Sequence, residues 1–317
     1  MDLLADVLAV GGVRGALGAR MEGADPWALN WTGIPGAAFY ALTTGSAWLT
    51  VPGHEPLRLL PGDVVLLPTG AGHTIGSTPG AKAPGCDAAA AAHARLTGDV
   101  LRFGNGEVQS HLLAATYSHD PAVSTQVLSQ LPEIVHLPAD PCGSCLDDTV
   151  RLLARELAHP QLATAVVLDR LVDILLIQFL RVWLARRPEE AKETWLGVLD
   201  DPMLSAALTK LHTDPARAWT TEQLAAELGV SRATLTRRFA STTGQAPGAY
   251  LTQWRMDLAA RRLRDTTDTL DAIARSVGYT SAYAFSRAFS RSRGQSPGRY
   301  RLTARAAAEA TDAYSTA

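Results

Sequence analysis

Two short stretches near the C-terminus carry apolar residues at helical spacing. In TTEQLAAELG (220–229) Leu224 and Leu228 are four apart, and in DTLDAIARSVG (268–278) Ile273 and Val277 are four apart, so each predicts a helix with one buried face. Thr220 or Thr221, and Asp268 or Thr269, stand where N-caps belong, and Gly229 and Gly278 stand where a left-handed residue ends a helix. A second helix follows each glycine. In SRATLTRRFASTT, Leu235 and Phe239 share the inner face, which leaves Ala233, Thr236 and Arg237 outward; in SAYAFSRAFSRSR, Phe285 and Phe289 face inward and leave Tyr283, Ser286 and Arg287 outward. Each pair closes on a Gly-Gln-x-Pro-Gly-x-Tyr phrase whose Tyr is expected to pack under the helices. Phe239 and Phe289, Gly244 and Gly294, Pro247 and Pro297, and Tyr250 and Tyr300 are all fifty residues apart, so the module is written twice. Between the copies, YLTQWRMDLAARRLRD (250–265) puts Leu251, Trp254, Leu258, Ala259 and Leu263 at helical spacing, which predicts a rigid bridging helix.

The N-terminal half has a different rhythm. AAFYALTTG, SAWLTVPG, PLRLLPG and DVVLLPTG, within residues 36–76, are short, rich in β-formers and punctuated by Gly and Pro, so they read as strands. GSTPGAKAPGCDAAAAAHA (76–94) is expected to be a mobile loop or lid, and GEVQSHLLAATYSHD (106–120) resumes a strand. Helices are expected at 145–158 and 162–187. In the second, Val166, Val167, Leu171, Ile174, Leu175, Phe179 and Trp183 form an apolar face wider than one partner helix needs, which fits either packing against the strands or a dimer seam. The charged RRPEEAKETW (186–195) reads as solvated.

Charge sharpens this division. Residues 1–204 hold 13 Lys/Arg against 22 Asp/Glu, a balance of −9, whereas residues 205–317 hold 16 against 9, a balance of +7. Of the 16 basic residues in the second part only Lys210 is not Arg. Arg is suited to bidentate contact with phosphate or guanine, so an acidic sensor or assembly part joined to a basic nucleic-acid reader is the organisation these totals favour. A helix, a glycine turn and a helix with small and Arg side chains outward make a helix-turn-helix, in which small residues let the backbone approach base edges and Arg reaches guanine.

On these residues 207–301 resemble the AraC/XylS-type DNA-binding domain. The resemblance implies seven helices, two helix-turn-helix units in successive major grooves, and transcriptional control. It places base reading at Ala233, Thr236 and Arg237 and at Tyr283, Ser286 and Arg287, and phosphate contact at Arg232 and Ser281. Ala233 is smaller than the residues often found at its position, so the first helix is expected to read few bases directly. In the other half, GDVVLLPTGAGH (62–73) resembles the second cupin motif, and the whole N-terminal part resembles the cupin-type sensor domain attached to some AraC-family regulators. That implies a barrel whose interior binds an inducer or perceives chemical stress. The matching ligands of the first cupin motif are missing from FYALTTGSAWLTV, so no metal and no cofactor are expected, and His73 is read as structural or as a pocket donor, with Tyr40 and Trp48 as walls.

The three cysteines are too few for a disulfide framework. Cys142 and Cys145 stand at CxxC spacing before a helix, a placement that favours thiolate, while Asp140, Asp147 and Asp148 oppose it. A redox role is kept open for this pair and for Cys86, beside the alternative of an incidental linker feature. The N-terminus has no basic segment before its apolar residues, and no uncharged apolar run is long enough to span a bilayer, so a cytoplasmic protein without membrane contact is expected.

The expected fold is therefore two-domain α+β: a cupin-like double-stranded β-helix barrel (1–138), connecting and dimerisation helices (139–204), an all-α double helix-turn-helix domain (205–304) and a disordered tail (305–317). The expected function is a non-enzymatic regulator of transcription that binds double-stranded DNA as a homodimer, answers to a small-molecule or oxidant effector, and contacts RNA polymerase if it activates. The alternatives are a cupin metalloenzyme fused to a DNA-binding domain, which stoichiometric bound iron, nickel or manganese would favour, and an architectural DNA binder whose affinity no effector alters.

Overall fold

The computed structural model describes residues 2–34, 36–81, 100–118, 128, 130–140, 143–192 and 194–304. Cys86, Cys142, most of the expected loop at 76–94 and the expected tail at 305–317 lie outside them.

The chain forms two compact units. The first holds ten strands among the described residues: β1 Arg14–Ala24, β2 Ala28–Trp31, β3 Ala37–Thr44, β4 Ala47–Thr50, β5 Leu57–Leu59, β6 Val64–Leu67, β7 His73–Gly76, β8 Val100–Phe103, β9 Val108–Ser118 and β10 Val135–Leu137. They make a six-stranded sheet, β10-β6-β3-β9-β1-β8, and a four-stranded sheet, β2-β7-β4-β5. Only the β1–β8 pairing is parallel among those observed. One core joins both sheets and includes Met21, Leu29, Tyr40, Leu42, Leu49 and Ile75.

The middle of the six-stranded sheet is buried on both faces. In β3, Ala38, Tyr40 and Leu42 join the inter-sheet core, while Phe39 packs edge-on against Phe179 at 5.6 Å. Phe179 belongs to α3 (Thr164–Arg186), which with α2 (Cys145–Ala158) forms part of this unit. Tyr117 of β9 donates to the Val172 carbonyl at 2.9 Å, and the Gly15 N–H donates to Asp173 at 2.8 Å, so α3 is hydrogen-bonded as well as packed on the sheet. Sequence spacing made 139–204 a separate connecting segment; instead α2 and α3 cover the sheet, because a strand such as β3 that is apolar on both faces needs a second layer.

The wide apolar face of α3 divides accordingly. Leu171, Leu175, Phe179 and Trp183 are buried, whereas Val166, Val167 and Ile174 remain exposed.

The second unit gathers residues 2–13 with 188–304. Its helices are α1 Leu3–Gly11, α4 Pro188–Lys192, α5 Pro202–Thr213, α6 Thr221–Glu227, α7 Arg232–Thr243, α8 Pro247–Asp265, α9 Leu270–Ser276, α10 Ala282–Arg293 and α11 over 297–304, with a 3-10 turn at Trp195–Asp200. Seven of them, α5–α11, lie at 202–304. The expected boundary placed the first residues with the barrel, but α1 packs on α5 and α8 through Leu3, Leu4 and Leu8. A nine-residue amphipathic helix cannot bury its apolar face alone, and nothing local to it specifies which unit supplies the cover.

Candidate functional site

The two modules are built alike. Thr220 caps α6 in a reciprocal box with Gln223, and Thr269 caps α9 by accepting from the Ala272 N–H at 3.2 Å. Gly229 and Gly278 then take positive φ, 67° and 82°, so each turn uses the one residue that adopts this backbone without strain. Leu235 and Phe239 of α7, and Phe285 and Phe289 of α10, are fully buried. Tyr250 meets Phe239 edge-on at 5.5 Å, and Tyr300 meets Phe289 edge-on at 5.4 Å, so the repeated phrase performs the same packing task twice.

This packing turns the other face of each second helix to solvent. Ala233 and Arg237 are exposed on α7 and Thr236 is half-buried; Tyr283 and Arg287 are exposed on α10 and Ser286 is half-buried. Tyr283, at 73% exposure, has the Arg287 guanidinium 5.9 Å from its ring centre. The two residues singled out for phosphate contact have other work as well. Arg232 pairs with Glu222 at 2.8 Å, and Ser281 is the N-cap of α10, accepting from the Ala284 N–H at 3.2 Å. Ser231 caps α7 in the same way and is the true counterpart of Ser281, fifty residues earlier; the repeat contained that signal, and the spacing argument passed over it.

Rigid mutual placement of the modules falls to α8. Asp257 on α8 forms a buried ion pair with Arg293 at the end of α10, and also accepts from Gln253 at 3.0 Å. At the other end of α8, Arg262 pairs with Asp268 at 2.7 Å, which holds that carboxyl below its usual range. The Asp257–Arg293 pair leaves no periodic trace in the sequence, since its residues are 36 apart on different helices.

In the barrel, Tyr40 and His73 meet. The His73 Nε2 lies 2.7 Å from the Tyr40 hydroxyl, and its Nδ1 lies 2.7 Å from the Ala71 carbonyl. A carbonyl only accepts, so Nδ1 carries the proton toward Ala71, while the Tyr40 hydroxyl can either donate to Nε2 or accept from it. Burial pushes the His73 pKa down, against the smaller opposing effect of the Ala71 bond. Among the described residues no three His, Cys, Asp or Glu side chains converge as a metal site.

Trp48 does not share this interior. Along β4 the core takes Ala47 and Leu49, so strand alternation turns Trp48 to the opposite face, and its expected role as a pocket wall is corrected. Trp31 is the residue that sequence reading missed: it stands opposite His73 in the β2–β7 register and packs against the inner core. Among the described residues its buried indole N–H has no hydrogen-bond partner. Cys145 is the exposed first residue of α2, beside the Ser144–Asp147 capping box.

A family model described as Cupin matches residues 2–185, and one described as a helix-turn-helix domain matches residues 224–303. The chain is 39% identical over 303 residues to a putative AraC-like transcription regulator of Streptomyces lividans, a match spanning 95% of this chain and 98% of that one. It is 29% identical over 280 residues to the HTH-type transcriptional regulator AlkR of Acinetobacter baylyi, spanning 87% and 90%. Among solved structures, the DNA-binding domain of AdpA in complex with a target DNA is 34% identical, spans 33% of this chain and 95% of that one, and has a TM-score of 0.32.

Proposed function

The chain belongs to the AraC-like transcription regulators with an N-terminal cupin domain, is a DNA-binding regulator rather than an enzyme, and from that premise we propose how it reads DNA and what controls it. Helices α7 and α10 enter successive major grooves, with Arg237 and Arg287 on base edges and Thr236, Tyr283 and Ser286 beside them. Ala233 clears the way for close approach. Arg232 and the Ser281 hydroxyl meet phosphates, Arg232 exchanging its exposed Glu222 partner for the backbone. The observation that carries this reading is the outward placement of an exposed Arg at the same position of two identically packed helices. A mutational test follows directly. Arg237→Ala and Arg287→Ala should each cost about 1–3 kcal/mol at the specific site and relax base preference there. Arg232→Ala should weaken all duplexes alike and reduce the salt slope. Duplexes selected with the wild-type protein and titrated at several salt concentrations make the comparison. Wild-type affinity in both Arg→Ala variants would show that α7 and α10 do not read bases.

A small-molecule or oxidant effector acts on the cupin unit, with Tyr40 and His73 as its barrel-interior candidates, and RNA polymerase is the further partner if the protein activates. The protein works in the cytoplasm; among the described residues no helix is long and apolar enough to cross a membrane.

The protein acts as a homodimer joined along α3. Val166 is 61% exposed and Ile174 44%, on the face that the sheet leaves uncovered, and Leu162 stands fully exposed just before it. Val166→Arg combined with Ile174→Arg should convert dimer to monomer without altering the melting of the cupin unit, since neither side chain enters its core. Sedimentation equilibrium checks this, and a variant that remained dimeric would move the interface elsewhere.

A further inference from the structure

We propose that the two helix-turn-helix modules share the work unequally, the second anchoring the protein to the DNA backbone through Arg291 and the first adding base contacts with little backbone attraction of its own. The inference rests on reading α7 and α10 as the helices that enter the grooves. The modules match in fold but not in charge. Residues 220–250 hold three Arg against two Glu, a balance of +1, whereas residues 269–300 hold five Arg against one Asp, a balance of +4. Tertiary pairing widens the gap. In the first module Arg232 pairs with Glu222 and Arg238 with Asp201, which leaves Arg237 as its one Arg without a carboxylate in reach among the described residues. In the second only Arg293 is neutralised, by Asp257. Arg275, Arg287, Arg291 and Arg299 are all exposed there, with no carboxylate partner among the described residues.

Arg291 is the member of this set whose place is fixed against the reading face. It stands one turn after Arg287 on the same outward side of α10, about 6 Å further along the helix axis. Fifty residues earlier α7 carries Ser241 at this position, exposed and donating to the Arg238 carbonyl. Recognition helices meet base edges through their N-terminal residues, so a side chain in the last turn lies where the groove gives way to the flanking phosphates. A guanidinium there displaces a condensed counterion and gives the phosphate its whole charge. Arg232 must first give up Glu222, so it adds less. A cation in the last turn also complements the helix dipole, and that would be its only task if it met no DNA. The dipole acts on the helix alone, so it leaves the salt dependence of DNA binding unmoved.

Affinities of the full chain for a wild-type-selected duplex and for an unrelated duplex of equal length, each measured between about 50 and 200 mM salt, test the anchor. Arg291→Ser should weaken both duplexes by the same factor, and the loss of affinity across that salt range should be about threefold smaller than in the wild type, the share of one phosphate contact. Arg291→Lys should keep the wild-type salt dependence, because a phosphate accepts a point charge. Ser241→Arg, which gives the first module the same cation, should enlarge the loss about threefold. Wild-type salt dependence in Arg291→Ser overturns the anchor and leaves Arg291 a helix-end charge. Loss of preference for the selected duplex in that variant overturns it as well, since Arg291 would then read a base. Unchanged salt dependence in Ser241→Arg would show that the missing cation is not what separates the modules. Arg287→Ala, measured alongside, keeps these failures apart from failure of the reading beneath them. If it relaxes base preference while Arg291→Ser keeps the wild-type salt dependence, α10 still reads the groove and only the anchor is lost.

Discussion

Asp257→Ala should lower the unfolding free energy of the helical unit by about 3–5 kcal/mol, because it strands a guanidinium in the interior rather than merely deleting a contact. The Arg293 side chain is 3% exposed and, among the described residues, its buried Nε has no partner, so the Asp257 carboxylate is its compensating charge. The pair pins the end of α10 to α8, so DNA affinity should fall along with stability. Replacing both residues, as Asp257→Leu with Arg293→Met, should recover much of the loss, since two apolar side chains leave no charge unpaired. Urea unfolding followed by tryptophan fluorescence makes the comparison. If the single variant lost less than about 1 kcal/mol, the range of a surface ion pair, water would have to reach Arg293 and the buried-charge account would fail.

Acid should loosen the same unit through His212. Its ring stacks on Trp254 at 3.7 Å between centroids, and its Nε2 lies 2.8 Å from the Tyr250 hydroxyl. The side chain is 1% exposed, and burial pushes its pKa down to about 3. The unfolded chain titrates this imidazole near 6.5, so below that pH the unfolded state binds a proton that the folded state refuses. Stability should therefore fall as pH falls, by roughly 2 kcal/mol at pH 5 and about 4 kcal/mol by pH 3. Asp6 faces the same ring, with its Oδ2 4.0 Å from Nδ1. Burial and then Asp2 raise the Asp6 pKa, against lowering by the N-terminus and Arg261, so its protonation on folding gives a smaller, opposite slope. His212→Phe keeps the stacking and removes the titration. Unfolding midpoints at pH 7, 6 and 5 should decline for the wild type and stay nearly level for the variant; parallel declines would mean that His212 is not the acid-sensitive group.

Much of the DNA-reading unit follows from sequence because its determinants are local. Caps lie within three residues of the N–H groups they satisfy, and a positive-φ glycine is chosen by its own backbone. Inner faces follow the 3.6-residue period. The fifty-residue repeat doubled every such signal, and Tyr250 and Tyr300 pack as that repeat requires. The strands, the Gly62–His73 motif and the exposed placement of Arg237 and Arg287 were legible for the same reason.

Tertiary structure decided the questions that depend on which surface meets which. An apolar stripe states that a helix needs cover but not from where, so only the fold shows that α1 packs on α5 and α8, and that α3 gives Phe179 to the sheet while leaving Ile174 exposed. Strand alternation states that neighbours face opposite ways but not which is inside; register put Tyr40 and His73 together and turned Trp48 away. Pairs such as Asp257–Arg293 and Glu22–Arg102 join residues far apart along the chain, and a charge in sequence carries no mark of its partner. Short-range geometry is encoded residue by residue, whereas burial and pairing are properties of the packed whole.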